Sequence, residues 1–95
     1  MELNKALGQA LKRTRLATGQ TQEDFSPISS RTYISALERG LQSPTIEKLA
    51  ELCEQLGVHP VTLIAAGYLI KDRMSVEELK LMLDQELEGL GFEAG

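Results

Sequence analysis

Apolar residues recur along this chain at intervals of three and four positions, with polar residues between them and glycine or proline at the breaks. This spacing is typical of amphipathic α-helices, in which one face packs against a core. No stretch shows the sustained alternation of apolar and polar residues that marks a half-buried strand. The turn signals divide the chain into about six helical segments, so the pattern predicts an all-α fold.

A glycine separates the first two segments. The first helix is predicted over Asn4–Ala17. Gly19 is expected to end this helix by adopting a left-handed backbone conformation. Thr21 stands where a helix N-cap belongs, and a short second helix is predicted from Gln22 to about Ser26. Pro27 limits its length, because a residue that precedes proline disfavours helical geometry.

Serine and threonine caps also open the next two helices. Ser29–Ser30 supplies the cap of a third helix over Arg31–Arg39, which Gly40 ends. A cap within Ser43–Thr45 opens a fourth helix, which Gly57 ends. The residues expected on the buried face of this fourth helix are Ile46, Leu49, Ala50, Leu52, Cys53 and Leu56.

Two more helices complete the predicted fold. His59–Pro60 opens a fifth helix, which Gly67 is expected to end, and Ser75–Glu78 has the form of a capping box at the start of a sixth. The fifth helix carries Val61, Leu63 and Ile64. The apolar residues of the sixth helix lie mostly three or four apart and are Val76, Leu79, Met82, Leu83, Leu87 and Leu90.

Length and composition narrow the class of protein. Ninety-five residues fit one domain, and the chain contains neither a long apolar run nor a signal-peptide core, so we expect a cytoplasmic protein that does not enter a membrane. Cys53 and His59 do not form a metal site by spacing alone. We therefore expect no metal, no cofactor and no catalytic set, and we interpret Cys53 as a core residue.

The charges are unevenly distributed. The net charge is −4, which argues at first against nucleic-acid binding. Residues 1–60, however, hold seven basic and seven acidic side chains, whereas residues 61–95 hold three basic and seven acidic ones. The stretch from Lys5 to Arg39 has a local excess of three positive charges. That excess suits a surface that faces phosphates, although it does not identify one by itself.

The most informative segment is a pair of short helices. Gly19–Phe25 contains a capped helix start, and Ser30–Gly40 follows after a tight connection as a helix with polar residues at its outward positions. The major groove of DNA admits one α-helix, so the second helix of such a unit can lie in it while the first crosses the phosphates.

At this point the chain resembles the phage-repressor and Cro-type helix-turn-helix family, also called the xenobiotic-response-element (XRE) class. The resemblance spans about Leu3 to Ala65. The residues that carry it are Leu7-Gly8, Arg15, Gly19, Thr21-Gln22-Glu23, Phe25, Ser30-Arg31, Ile34-Ser35, Leu37-Glu38-Arg39-Gly40, Ser43-Pro44-Thr45, Leu49-Ala50 and Leu56-Gly57-Val58. It implies a five-helix, lambda-repressor-like DNA-binding domain over residues 1–67 and leaves residues 68–95 as an extension with an amphipathic helix.

The resemblance also assigns roles to single residues. The family's phosphate-contacting glutamine falls on Gln22, and its base-contacting positions fall on Arg31, Thr32 and Ala36. Arg31 is the best base contact, because a guanidinium can bind guanine through two hydrogen bonds, whereas Ala36 offers only a methyl contact to thymine. Further candidates for phosphate contact are Thr21, Ser30, Tyr33, Ser35, Arg39 and Ser43. The ring of Tyr33 is alternatively expected to pack against the loop.

Arg15 and Glu38 match positions that the family pairs, so the resemblance implies a structural ion pair between the first and third helices. One departure concerns the four residues between Phe25 and Ser30, because the family commonly has a longer connection that contains a glycine. We expect Ile28 to fill the core there.

The favoured function is sequence-specific binding of double-stranded DNA by a transcriptional repressor or autoregulator, without a small-molecule ligand. The alternative is a protein-interaction or antitoxin-type module that uses the C-terminal helix, and an enzyme is the least favoured class. Apolar residues that a five-helix core does not need predict a homodimer on a pseudo-palindromic operator. These interface residues are Leu69, Ile70, Leu79, Met82, Leu83 and Leu87. The sixth helix alternatively folds back as extra core.

Overall fold

A computed structural model describes residues 1–92 and contains five α-helices and one 3₁₀ helix, with no strand in that range. The elements, in chain order, are α1 (Leu3–Ala17), the 3₁₀ helix (Gln22–Phe25), α2 (Arg31–Glu38), α3 (Ile46–Leu56), α4 (Pro60–Asp72) and α5 (Val76–Gly89). The all-α prediction is confirmed. Residues 93–95 of the predicted C-terminal extension lie outside the described range.

Side-chain caps set most of the helix starts, as the sequence predicts. The hydroxyl oxygens of Ser30, Thr45 and Ser75 each accept a hydrogen bond from the backbone N–H three residues further on. Gly19 has φ +72° after the end of α1, so the predicted left-handed glycine is confirmed. Because each cap satisfies a backbone N–H that has no partner within the helix, these polar residues determine where the chain starts to coil.

The core lies between α1, α2, α3 and α4, with one aromatic residue from the 3₁₀ helix. Its largest fully buried side chains are Phe25, Ile34, Leu52, Leu63 and Cys53. Ile28 packs against this cluster from the short connection, as expected. Cys53 is a core residue, and burial raises the pKa of its thiol. Burial of one such side chain contributes about 1.5–3 kcal/mol, so this cluster holds the helices together.

The apolar face predicted for the helix that is α3 in the structure is wrong at two positions. Ile46 is 77% exposed, and Ala50 is also exposed. The buried residues of α3 occupy a narrow arc that includes Leu49 and Leu56, and Ile46 and Ala50 fall just beyond one side of it. Apolar spacing locates a face correctly but does not show how wide a strip the neighbouring helices cover.

Gly67 does not end the fifth predicted helix. Helix α4 continues to Asp72 and ends at Arg73, and Gly67 is buried within it. A Cβ atom at Gly67 would lie 3.2 Å from Leu7 Cδ1, so the glycine allows α4 to approach α1 closely. The boundary predicted between residues 67 and 68 therefore falls within one continuous helix.

Helix α5 follows α4 after the short turn at Arg73 and Met74. It starts with the predicted capping box, since Ser75 N donates to Glu78 Oε1 at 3.0 Å and Glu78 N donates to Ser75 Oγ at 3.1 Å. No residue of α5 is buried. This helix therefore adds no residue to the buried core, although Leu79 and Met82 on it are half-buried. Within residues 1–92, none of the helices combines the length and apolar character needed to cross a bilayer.

Candidate nucleic-acid interface

Helix α2 presents two chemically different faces. Its inner face is buried and carries Ile34 and Leu37, which belong to the core. Its outer face carries polar side chains. The cap at Ser30 fixes the start of the helix, because Ser30 Oγ accepts a hydrogen bond from Tyr33 N at 3.1 Å. The buried face therefore determines which side chains α2 turns towards solvent.

A shallow depression joins this outer face to the 3₁₀ helix. It is lined by Gln22, Arg31, Thr32, Ser35 and Arg39. All five are among the predicted DNA contacts, and they come from two elements. A surface that combines two guanidinium groups with amide and hydroxyl groups can bind phosphates and the edges of bases.

The two arginines of this surface are held differently. The Arg31 side chain is 68% exposed, and its Nη1 atom lies 3.1 Å from Glu23 Oε1, whose side chain is 74% exposed. Arg39, the residue that follows α2, instead donates from Nε to the carbonyl oxygen of Ser35 at 3.4 Å. Both guanidinium groups keep most of their hydrogen-bond donors available. The pairing of Glu23 with Arg31 was not predicted from the sequence.

Gln22 is fixed by a buried ion pair behind it. Its Nε2 atom donates to Glu38 Oε1 at 3.1 Å. Glu38 accepts two further hydrogen bonds from Arg15, from Nε to Oε2 at 2.6 Å and from Nη2 to Oε1 at 3.0 Å. Arg15 also donates from Nη1 to the carbonyl oxygen of Gln20 at 3.0 Å. The structure thus brings Arg15 and Glu38 together as the resemblance implied, and it adds a link to Gln22 that the sequence did not reveal.

Burial makes this ion pair tight. The side chains of Arg15 and Glu38 are 9% and 3% exposed. The hydrogen bonds to Glu38 raise the pKa of Arg15, against the desolvation that lowers it. Because a charge in this position needs its partner, the pair joins α1 to α2 and sets the position of Gln22 at the surface.

Three predicted contacts lie away from the depression or are covered. Ala36 is only 7% exposed, so little of its methyl group is accessible for the predicted contact with a base. Tyr33 is half-buried and packs against the core, not against the loop as the alternative for its ring expected. Ser43 is exposed in the loop before α3 and does not line the depression.

Thr21 and Ser30 serve first as helix caps. Thr21 Oγ1 accepts a hydrogen bond from Asp24 N at 3.3 Å, and Thr21 N donates to Asp24 Oδ2 at 2.8 Å. Both residues are exposed. Neither lines the depression, although each directly precedes a residue that does. A hydroxyl oxygen that accepts from the backbone can still donate its own hydrogen to another acceptor.

The residues predicted to form the dimer interface lie on the last two helices. Leu69, Ile70, Leu79 and Met82 are half-buried, whereas Leu83 and Leu87 are 37% and 43% exposed. All six lie on α4 or α5, at the end of the chain that follows the helix-turn-helix segment. Across residues 1–92, no group of three or more histidine, cysteine, aspartate or glutamate residues is arranged to hold a metal ion.

Known proteins resemble both the sequence and the fold. The HTH_3 family model, described as helix-turn-helix, matches residues 11–63. A relative described as the uncharacterized HTH-type transcriptional regulator y4dJ of Sinorhizobium fredii (strain NBRC 101917 / NGR234) is 41% identical over 66 residues, which are 67% of this chain and 86% of the relative.

Two crystal structures of the clp gene regulator ClgR from Corynebacterium glutamicum have similar folds. One is 29% identical, with a TM-score of 0.68, and the match covers 80% of this chain and 97% of that one. The other is 27% identical, with a TM-score of 0.69 over 98% of each chain. The chain therefore belongs to the HTH_3 helix-turn-helix family and is a DNA-binding transcriptional regulator.

Proposed function

We propose that this protein is a repressor, and an autoregulator of its own gene, that binds a pseudo-palindromic DNA site as a homodimer. In this proposal α2 enters the major groove. The observation that carries it is the depression lined by Gln22, Arg31, Thr32, Ser35 and Arg39, in which five polar side chains from two elements lie on one surface. Because the opposite face of α2 is buried in the domain, the helix can approach DNA only with this polar surface.

Base recognition falls to the start of α2. Arg31 is exposed and can bind guanine through two parallel hydrogen bonds, and Thr32 beside it can bind a base edge or contact a thymine methyl group. Ala36 is nearly covered, so we assign it no base contact. Sequence preference is therefore expected over the few base pairs next to the N-terminus of α2.

Phosphate contacts surround this base-contacting centre. Gln22 projects from the 3₁₀ helix with its amide oriented by Glu38, and a neutral amide can donate a second hydrogen to a phosphate oxygen. Ser35 lies further along α2 and Arg39 directly follows it, and Thr21 and Ser30 are exposed residues at the helix starts. These contacts position the protein on the duplex without selecting a sequence.

Dimer formation is proposed to use α5 and the end of α4. One recognition helix contacts only a few base pairs, whereas two helices related by a two-fold axis enter successive major grooves about 34 Å apart. The apolar residues of α5 support this assembly, because Leu83 and Leu87 are 37% and 43% exposed and a second protomer could cover them. A dimer bound over a promoter would exclude the polymerase, which is the simplest form of repression. Because the proposed target is DNA, we also propose that the protein acts in the cytoplasm.

The same feature favours a second candidate function. The exposed apolar side chains of α5 would also suit an antitoxin-type protein that binds a different polypeptide. The polar depression on α2 would then serve DNA binding by the complex. Sedimentation without any partner separates the two, because only the homodimer uses this surface in the isolated protein.

Selection from a random library of double-stranded DNA tests the proposal. We expect enrichment of a site with two inverted half-sites whose centres lie about 10 base pairs apart, and a gel shift with the DNA upstream of the protein's own gene. A chain truncated before Ser75 should sediment as a monomer and lose most of its affinity for the full site. An unenriched library would contradict sequence-specific binding, and a truncated chain that still dimerises would exclude α5 as the interface.

A further inference from the structure

An open groove runs between α1 and α4 on a surface distinct from the depression at Gln22 and Arg31. Its lining is largely apolar and includes Val58, Ala66, Leu69 and Ile70. On the α1 side, the lining also includes Arg13. No residue of the lining is acidic. The groove therefore offers an apolar surface bordered by positive charge, and the interactions within the domain do not cover it.

Helix α5 has the complementary character. Leu83 and Leu87 lie four residues apart and form a short exposed apolar row. Asp84 and Glu88 each follow one of these leucines, so they form an acidic row along the side of the apolar one. A groove that received this apolar row would also meet the acidic row at its edge.

The two helices carry opposite charge overall. Helix α1 contains no acidic residue, and Lys5, Lys12 and Arg13 are exposed on it. Helix α5 contains one lysine, Lys80, among five acidic residues. Those acidic residues are Glu77, Glu78, Asp84, Glu86 and Glu88. Two copies of α5 packed against each other would bring like charges together, whereas α5 beside α1 would bring opposite charges together.

We propose that the groove between α1 and α4 receives α5 of a second copy of this chain. The inference rests on the proposed homodimer and specifies how it is built: each protomer gives its α5 and receives its partner's. Such an exchange obeys a two-fold axis, because the same two surfaces meet twice. The partner's Leu83 and Leu87 would lie over Ala66 and Ile70, with the acidic row beside Arg13.

The dimensions agree with this arrangement. Along α4, the groove extends from Thr62 to Ile70, a rise of about 12 Å at 1.5 Å per residue. The row from Leu83 to Leu87 spans about 6 Å by the same measure. The groove is therefore long enough to hold both leucines and the acidic side chains beside them.

Charge reversal tests the arrangement, with the dimer dissociation constant measured by sedimentation equilibrium at low salt. Arg13→Glu should weaken the dimer about fivefold, the size expected for exposed charge pairs, and Asp84→Lys/Glu88→Lys should weaken it similarly. The combined variant should return to within about twofold of the wild type, because the charges are again opposite. All three positions are exposed, so folding is retained and a thermal melt verifies it.

Two matched controls separate the contact from general effects. Lys5→Glu makes the same charge change on α1 about 12 Å from Arg13, outside the groove, and should weaken the dimer much less than Arg13→Glu does. Leu81 is 59% exposed and lies on the opposite side of α5 from Leu83. Leu83→Ser should therefore weaken the dimer, and Leu81→Ser should not.

Each other outcome has a defined meaning. If Asp84→Lys/Glu88→Lys tightens the dimer while Arg13→Glu has no effect, α5 pairs with α5; the homodimer then stands and the exchange into the groove is overturned. If the wild type sediments as a monomer at micromolar concentration, the proposed homodimer itself fails, and this inference fails with it.

Discussion

The side-chain amide of Gln22 donates a hydrogen bond to Glu38 Oε1 at 3.1 Å, so a residue at the proposed DNA surface is held by a carboxylate inside the domain. Arg15 holds the same carboxylate from α1. The helix-turn-helix unit is thus fixed by one buried charge pair as well as by its apolar core. Loss of this ion pair is therefore expected to lower both the stability of the protein and its affinity for DNA.

Removing one member of this pair should be strongly destabilising. Arg15→Met leaves the Glu38 carboxylate buried without its cation, and we expect a loss of about 3–5 kcal/mol in the free energy of unfolding. Arg15→Met/Glu38→Leu should recover much of that loss, because neither charge is then buried alone. Urea denaturation measures both values. Lys12→Met, at an exposed position of the same helix, is the control and should change stability by less than about 0.5 kcal/mol. Equal stabilities for Arg15→Met and Lys12→Met would contradict a structural role for the pair.

Gly8 should tolerate no side chain. A Cβ atom there would lie 2.4 Å from the carbonyl oxygen of Leu37 and 2.7 Å from that of Glu38, so α1 would have to move away from α2. We expect Gly8→Ala to cost about 3 kcal/mol or more, measured by thermal denaturation, because the obstructing atoms are backbone. Gly89→Ala is the control, since a Cβ atom at Gly89 meets nothing within 4 Å. It should raise helix stability by up to about 1 kcal/mol.

The turn between α4 and α5 contains a replaceable residue. Arg73 has φ +54° and ψ +43°, a left-handed conformation that costs a residue with a Cβ atom about 1–2 kcal/mol. Glycine adopts it without that cost, although its unfolded chain is more flexible, so Arg73→Gly should stabilise the protein by about 0.5–1 kcal/mol. Arg73→Lys keeps both the Cβ atom and the charge, so its melting temperature should equal that of the wild type. A lower melting temperature for Arg73→Gly would show that the arginine side chain is itself needed there.

Glu23 should restrain DNA binding. Its carboxylate pairs with Arg31 at 3.1 Å, and both side chains are largely exposed, so DNA must compete with it for the guanidinium. We expect Glu23→Gln to tighten binding about two- to fivefold on any DNA, with the largest effect at low salt. Glu86→Gln removes the same charge from α5 and should leave the affinity unchanged in a fluorescence titration. Weaker binding of Glu23→Gln to the selected site alone would mean that Glu23 contacts a base.

Much of the fold could be predicted because local chemistry determines it. The caps at Thr21, Ser30 and Ser75 depend only on nearby backbone groups, and the structure has them. Gly67 could not be interpreted correctly, because a glycine that ends a helix and one that permits close packing are alike in sequence. Its role depends on Leu7, a residue of α1 that only the folded chain brings near.

The site divides in the same way. The outward direction of Arg31 and Thr32 follows from helical spacing once Ile34 and Leu37 are placed in the core. The burial of Ala36 depends on how neighbouring elements pack against α2, and the pairing of Arg31 with Glu23 depends on how the 3₁₀ helix approaches α2. These are tertiary contacts, which no periodicity along the chain encodes.

The central claim is that the start of α2 selects the DNA sequence. The measurement that tests it most directly is a titration of wild type, Arg31→Ala and Gln22→Ala with the selected site and with random DNA at one salt concentration. We predict that Arg31→Ala loses about 1–3 kcal/mol on the selected site and much less on random DNA, while Gln22→Ala weakens both similarly. Equal losses of Arg31→Ala on the two DNAs would contradict base recognition at this position and make Arg31 a phosphate contact.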